Sequence, residues 1–211
     1  MKTPDSLIFD MDGTLWDALN TYVNSWNSGL VEENIDKKVS AEEISSMMGL
    51  DSQKVLDRIL PEYSREEQHR IYKTINQHRA EQVETIGGTL YDGVVEGLKK
   101  LSEKYKLFIV SNCPEGMITL FMKWANITEY ITDEMAYGVN NMPKNHNIKH
   151  LIDKYQLQNP VYIGDTEGDR VESERAGIPF VYFSFGFGNV EKYDLKFNDF
   201  NSFTAYFLNL P

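Results

Sequence analysis

The chain has 211 residues and is 41% hydrophobic, enough for one ordinary core with room for a small inserted module, since single domains usually run to roughly 100–200 residues. Lys and Arg number 21 against 32 Asp and Glu, a net charge of −11 that repels nucleic acid and anionic lipid alike. A single cysteine, Cys113, excludes an intramolecular disulfide and a multi-cysteine zinc site and fits a reducing, cytoplasmic setting.

The opening Met1-Lys2-Thr3-Pro4-Asp5-Ser6 leads into too few apolar residues for a signal-peptide core. No later run approaches membrane-spanning length, so a soluble protein is expected, with neither a membrane nor a nucleic acid as partner. Next comes Leu7-Ile8-Phe9, a short apolar run ending in acidic residues, the pattern of a buried strand that delivers polar groups at its C-terminal end. From there to Tyr91 the pattern is helical only, with Leu19, Tyr22, Val23, Trp26 and Leu30 on one apolar stripe, which reads as an inserted helical module. Ser40 with Glu43, and Ser64 with Glu67, have capping-box spacing. Gly87-Gly88 marks a helix stop and a hinge.

Beyond Tyr91, Val94, Leu98 and Leu101 recur at helical period before the apolar run Leu107-Phe108-Ile109-Val110, which leads into Ser111-Asn112. Ile148, Leu151, Ile152 and Tyr155 do the same before Val161-Tyr162-Ile163, which leads into Gly164-Asp165. Helices alternating with fully apolar strands imply a parallel sheet in an α/β fold, whose ligands collect beyond the carboxyl ends of the strands. The tail from Glu191 onward reads as a last strand or helix packed on the sheet.

Asp10 and Asp12 lie two apart in extended chain, so both carboxylates can face one site. One can attack phosphorus while the other, kept protonated by its neighbour's charge, protonates the leaving oxygen. Gly13 allows the tight turn beyond them. A lone Asp-x-Asp-Gly is usually a solvated turn, but Gly164-Asp165-Thr166-Glu167-Gly168-Asp169 forms a second acidic cluster at another strand end. Hard oxygen ligands from two loops suit Mg²⁺. For Asp169, helix capping competes with metal binding.

Together these segments resemble the haloacid dehalogenase superfamily, specifically its phosphoglycolate-phosphatase-like members with a helical cap inserted after the first strand. Asp10-Met11-Asp12-Gly13-Thr14-Leu15 is similar to the family's first motif, Ser111-Asn112 to the second, Lys144 to the third, and the cluster from Gly164 to Asp169 to the fourth. The resemblance implies a Rossmann-like three-layer parallel-sheet core (1–15 and 89–211) with a small α-helical cap (16–88). It implies a Mg²⁺-dependent phosphatase acting on a small phosphorylated metabolite through an aspartyl-phosphate. Asp10 would be nucleophile and metal ligand, Asp12 general acid and base lending its carbonyl to the metal, and Asp165 and Asp169 further metal ligands. Ser111 and the amide of Asn112 would bind phosphoryl oxygens, and Lys144 would neutralise charge between the two anions. A phosphosugar mutase of the β-phosphoglucomutase type uses the same constellation and is the alternative.

The third motif leaves register open, because Pro143 precedes Lys144 where many relatives show Lys-Pro, and Lys149 is a second candidate. In the cap, Met47, Gly49, Gln53 and Lys54 fall in a segment resembling the family's specificity loop. The cap helices carry no convincing set of acids, bases or metal ligands, so the cap is expected to select substrate and exclude water. Trp16 and Asp17 are expected at the hinge. His146 and His150 read as a surface pair, Cys113 as a half-buried bystander, and the run from Phe183 to Gly188 as core packing.

Overall fold

The computed structural model describes residues 3–211. In chain order, β1 (Ser6–Phe9) is followed by the two-residue strand β2 (Trp16–Asp17) and four helices, α1 (Leu19–Glu32), α2 (Ala41–Ser45), α3 (Ser52–Ile59) and α4 (Arg65–Thr85). The chain then runs through β3 (Thr89–Leu90), α5 (Val94–Ser102), β4 (Lys106–Ser111), α6 (Met117–Trp124), β5 (Asp133–Ala136), α7 (Tyr137–Asn140) and α8 (Lys144–Tyr155). It closes with β6 (Pro160–Gly164), α9 (Glu167–Ala176), β7 (Phe180–Phe183), β8 (Leu195–Phe197) and α10 (Phe200–Leu208).

The main sheet is parallel, with strand order β5-β4-β1-β6-β7-β8. Its three central strands are the three apolar runs read from sequence, and they are buried on both faces because α/β crossovers place helices on both sides. Leu7, Phe9, Leu107, Ile109, Val161 and Ile163 face one layer with α5, α6 and α10, while Ile8, Phe108, Val110 and Tyr162 face the other with α8. This is the three-layer α/β arrangement expected. Phe9 stands opposite both Ile109 and Ile163, so the polar residues that follow emerge at one edge of the sheet. That edge flanks β1, where the strand order reverses and such sheets open a crevice.

The tail supplies both a strand and a helix. Strand β8 joins the sheet edge, and α10 buries Phe200, Phe203 and Phe207, with Phe203 edge-on to Phe9 at 5.8 Å. Strand β5 carries no apolar run to announce it, because it is an outer strand whose Asp133 and Glu134 are only half-buried.

Helices α1 to α4 lie between β2 and β3, which pair antiparallel with Trp16 opposite Leu90 and Asp17 opposite Thr89. Trp16 packs on Phe121 and Trp124 of α6, at 4.6 and 5.4 Å between ring centroids. Within the helical segment Tyr22, Trp26 and Leu30 of α1 are buried, as are Ile71, Ile75 and Val83 of α4, and α1 and α4 pack on each other. Both capping boxes form, at Ser40 with Glu43 and Ser64 with Glu67. Among the described residues no helix is long and apolar enough to cross a membrane.

Candidate active site

Asp10 is the first residue past β1, its amide donating to the Ile163 carbonyl at 2.8 Å, and its side chain is buried. Lys144, the first residue of α8, is equally buried and places Nζ 2.7 Å from Asp10 Oδ1 and 2.6 Å from Asp169 Oδ1. Of the two lysines left open by the sequence, Lys144 is the one brought to Asp10, while Lys149 is exposed. Asp169 caps α9 through Oδ2, which accepts from the amide of Thr166 at 3.0 Å and its hydroxyl at 2.6 Å, while Oδ1 accepts from Lys144. Capping and membership of the acidic cluster are thus not alternatives for this residue.

Asp165, also buried, accepts a hydrogen bond from the Phe187 amide at 2.7 Å. Gly13 (φ +81°) and Gly186 press against this carboxylate so closely that a Cβ at either would overlap it. The run from Phe183 to Gly188 is therefore more than packing: its backbone holds a carboxylate of the site. Sequence reading missed it because the donor is an amide, common to every residue but proline. The only signal in the sequence was the pair Gly186 and Gly188 on either side of Phe187.

Carboxylate oxygens of Asp10, Asp165 and Asp169 lie within 4.8 Å of one another. Burial, with the charges of Asp169 and Asp12 added, pushes the Asp10 carboxyl up to about 7 against the opposing pull of Lys144. Burial also raises Asp165 well above the usual carboxylate range, with Asp169 and Asp10 adding to it. Burial alone would lower the Lys144 ammonium, but Asp10 and Asp169 hold it well above its ordinary value. Three converging buried carboxylates against one ammonium leave excess negative charge, and all the donors are hard oxygens, so the site fits a hard divalent cation.

Asp12 stands apart from this cluster. It is half-buried, and its Oδ1 accepts from Tyr22 Oη at 2.7 Å and Trp16 Nε1 at 3.0 Å. Burial pushes its carboxyl up to about 6, opposed mainly by the Tyr22 hydrogen bond and the Arg79 charge. Tyr22 and Arg79 belong to α1 and α4, so the helical segment, read from sequence as carrying no convincing set of acids, bases or metal ligands, reaches Asp12 with a hydroxyl and a nearby charge.

A cavity of about 80 Å³ separates the strand ends from the helices, with Asp10, Asp12, Ser111, Asn112 and Lys144 on its floor. Ser111 is buried, and Asn112 Nδ2 crosses to the helical segment, donating to the Gly49 carbonyl at 2.8 Å. Met47 and Gly49, two of the cap residues singled out from the sequence, line the roof together with Tyr22, Trp26 and Arg79. Gln53 does not face this cavity: it bonds to Asp57, Gln68 and His69 within the helical segment. Lys54 is exposed, pairs with Asp51 at 2.7 Å and borders an outer cleft instead. Helix α3 explains both, because it turns Leu56 and Ile59 inward and its polar face outward. His146 and His150 are exposed, and burial pushes the Cys113 thiol up and away from thiolate reactivity.

The haloacid dehalogenase-like hydrolase family model matches residues 7–183. A phosphoglycolate phosphatase of Rhodobacter capsulatus is 24% identical over 208 residues, covering 93% of this chain and 94% of the relative. Another, of Agrobacterium fabrum, is 24% identical over 204 residues, covering 90% and 84%. The solved structure of a haloacid dehalogenase-like family hydrolase from Streptococcus pneumoniae shares the fold, with TM-score 0.82 over 98% of this chain and 100% of that one at 20% identity.

Proposed function

Because the chain belongs to the haloacid dehalogenase-like hydrolase family, we propose that it is a phosphoric monoester hydrolase acting on a small phosphorylated metabolite, with residues 16–88 as a cap over the site. The observation that carries this reading is the buried Lys144 bridging Asp10 and Asp169 beside Asp165. The curated relatives are phosphoglycolate phosphatases, which supports the same reaction class.

Asp10 attacks phosphorus, forming an aspartyl-phosphate as the bond to the leaving oxygen breaks, and Asp12 gives that oxygen its proton. Asp12, now a carboxylate, takes a proton from water, which attacks phosphorus, breaks the bond to Asp10 and releases inorganic phosphate. Lys144 holds Asp10 in place and offsets its charge as the phosphate anion approaches, which matters because phosphoryl transfer is mainly positioning and charge neutralisation. Ser111, buried on the floor, donates to the phosphoryl oxygens. Asp10, Asp165 and Asp169, with the Asp12 carbonyl, would hold Mg²⁺, which when bound neutralises phosphoryl charge and orients the group for in-line attack.

The test is a panel of phosphorylated metabolites assayed with Mg²⁺ and with EDTA, for wild type and Asp10→Asn. Phosphate release that needs the metal and falls by on the order of 10⁴-fold or more in the variant is expected. Release unaffected by EDTA, or an Asp10→Asn rate within tenfold of wild type, rejects the mechanism.

A further inference from the structure

Arg79 is only 6% exposed, and among the described residues its Nε has no hydrogen-bond partner. It forms no ion pair among the described residues. Its one side-chain hydrogen bond among the described residues runs from Nη1 to the Tyr72 hydroxyl at 3.2 Å, and its guanidinium carbon lies 4.9 Å from the Tyr22 ring centroid and 5.5 Å from that of Tyr72. A buried charge without a counter-charge is costly, and arginine is rarely buried unpaired. The aromatic faces compensate in part and fix the plane of the fork, but they leave the Nε donor unused. Arg79 lines the same cavity as Asp10 and Lys144, on the side of the helical segment.

We propose that Arg79 is the specificity-determining residue of the site and takes a carboxylate that the substrate carries at the end opposite its phosphoryl group. The assignment rests on the phosphatase reading above. A planar monoanion matches one guanidinium in charge and in fork geometry. A second phosphoryl group would bring extra negative charge toward Asp12, which already feels the Arg79 charge. A cavity of about 80 Å³ leaves few atoms between the two anionic ends, so the class is the phosphate ester of a short hydroxy acid. Neutral sugar phosphates would bury the guanidinium without a partner and are disfavoured on that ground.

The experiment compares kcat/KM for 2-phosphoglycolate and its uncharged amide, 2-phosphoglycolamide, using the full chain with Mg²⁺. Wild type is expected to favour the acid by on the order of 10–100-fold, the range for a hydrogen-bonded charged group. Arg79→Met should bring the ratio close to one, and Arg79→Lys should restore part of it. Equal use of acid and amide by wild type overturns the proposal without reference to any variant. So does a fall of both substrates in proportion in Arg79→Met, which would mean that Arg79 only positions Asp12. Calorimetric binding of the two esters to Mg²⁺-loaded Asp10→Asn separates this inference from the reaction class. Tighter binding of the acid without wild-type hydrolysis of either ester would leave Arg79 assigned and reject the phosphatase; equal binding would reject Arg79 even if both esters are hydrolysed.

Discussion

The floor and the roof of the cavity bury charge in opposite ways. On the floor every charge is shared: Lys144 bridges Asp10 and Asp169, Asp169 also accepts from Thr166 and Tyr162, and the Phe187 amide holds Asp165. On the roof the Arg79 guanidinium rests on aromatic faces with one donor unused. The floor hangs from strand ends of a sheet buried on both faces, while the roof hangs from helices joined to it by the β2–β3 ribbon. A saturated network holds its groups where charge will develop. An unsaturated one waits for a ligand. On the proposed reading, the difference separates the part that performs the reaction from the part that chooses what enters it.

The sharpest way to break this contrast is Lys144→Met. It leaves Asp10 and Asp169 buried without their shared cation, and breaking a buried pair by removing one partner costs about 3–5 kcal/mol. Turnover should fall by on the order of 10³-fold or more, and thermal denaturation should show a large loss of stability that Mg²⁺ partly restores. Arg79→Met removes a charge with no counter-charge and should cost much less stability. Equal losses in the two variants would show that floor and roof are not built differently.

Acidity tests the floor without mutation. Asp10 holds its proton up to about pH 7 in the metal-free fold against an ordinary carboxylate value of 3.8, and Asp165 is raised as well. Folding therefore takes up protons, and the stability this supplies is fully present below about pH 4 and lost as pH rises toward 7. The Asp10 shift alone corresponds to at most roughly 4 kcal/mol. Melting temperature without metal should fall between pH 5 and 7.5, and the Mg²⁺-induced rise should grow over the same interval, because the cation takes the place of the protons. A flat metal-free profile with a constant Mg²⁺ shift would mean that the carboxylates do not share one buried site.

How far the sequence discloses each half follows from the same contrast. Floor residues sit directly after apolar runs, so chain order alone brings Asp10, Ser111 and Asp165 to one edge. Lys144 was ambiguous against Lys149, yet the helical wheel could have decided it: Lys144, Ile148 and Leu151 share the buried face and Lys149 lies off it. Roof residues converge from separate helices, and nothing local predicts that meeting. One signal was present, since Arg79 interrupts the buried stripe Ile71, Ile75, Arg79, Val83, and a cation on an apolar face needs an explanation. Gln53 and Lys54 drew attention as polar residues in a resembling loop, but the segment turns its apolar face and backbone to the cavity. The amide of Phe187 left no mark of its own, because backbone donors carry no sequence identity; only the flanking Gly186 and Gly188 hinted at it.

The gentlest test lies where roof touches floor, at the hydroxyl of Tyr22 bonded to Asp12 Oδ1 at 2.7 Å. Burial pushes Asp12 up to about 6, and the hydrogen bond from Tyr22 is the largest opposing influence because it favours the charged carboxylate. Tyr22→Phe removes that donor while Trp16 Nε1 still holds the same oxygen. Asp12 should then keep its proton to higher pH. As the acid of the first step it would stay active over a wider range, so the falling limb of phosphoenzyme formation should move to higher pH. As the base of the second step it must be charged, so release of phosphate should slow on the acid side. Loss of one hydrogen bond to a charged group predicts a drop of about tenfold near neutrality. That slowed second step is common to alkyl and aryl esters, whereas the moved limb of the first step should show in alkyl esters more than in aryl esters, whose leaving groups need little protonation. Single-turnover profiles for the two ester types across pH resolve these effects. If Tyr22→Phe lowers every rate by one factor and leaves the profiles unmoved, Tyr22 is a packing residue and the cap has no hand on the acid.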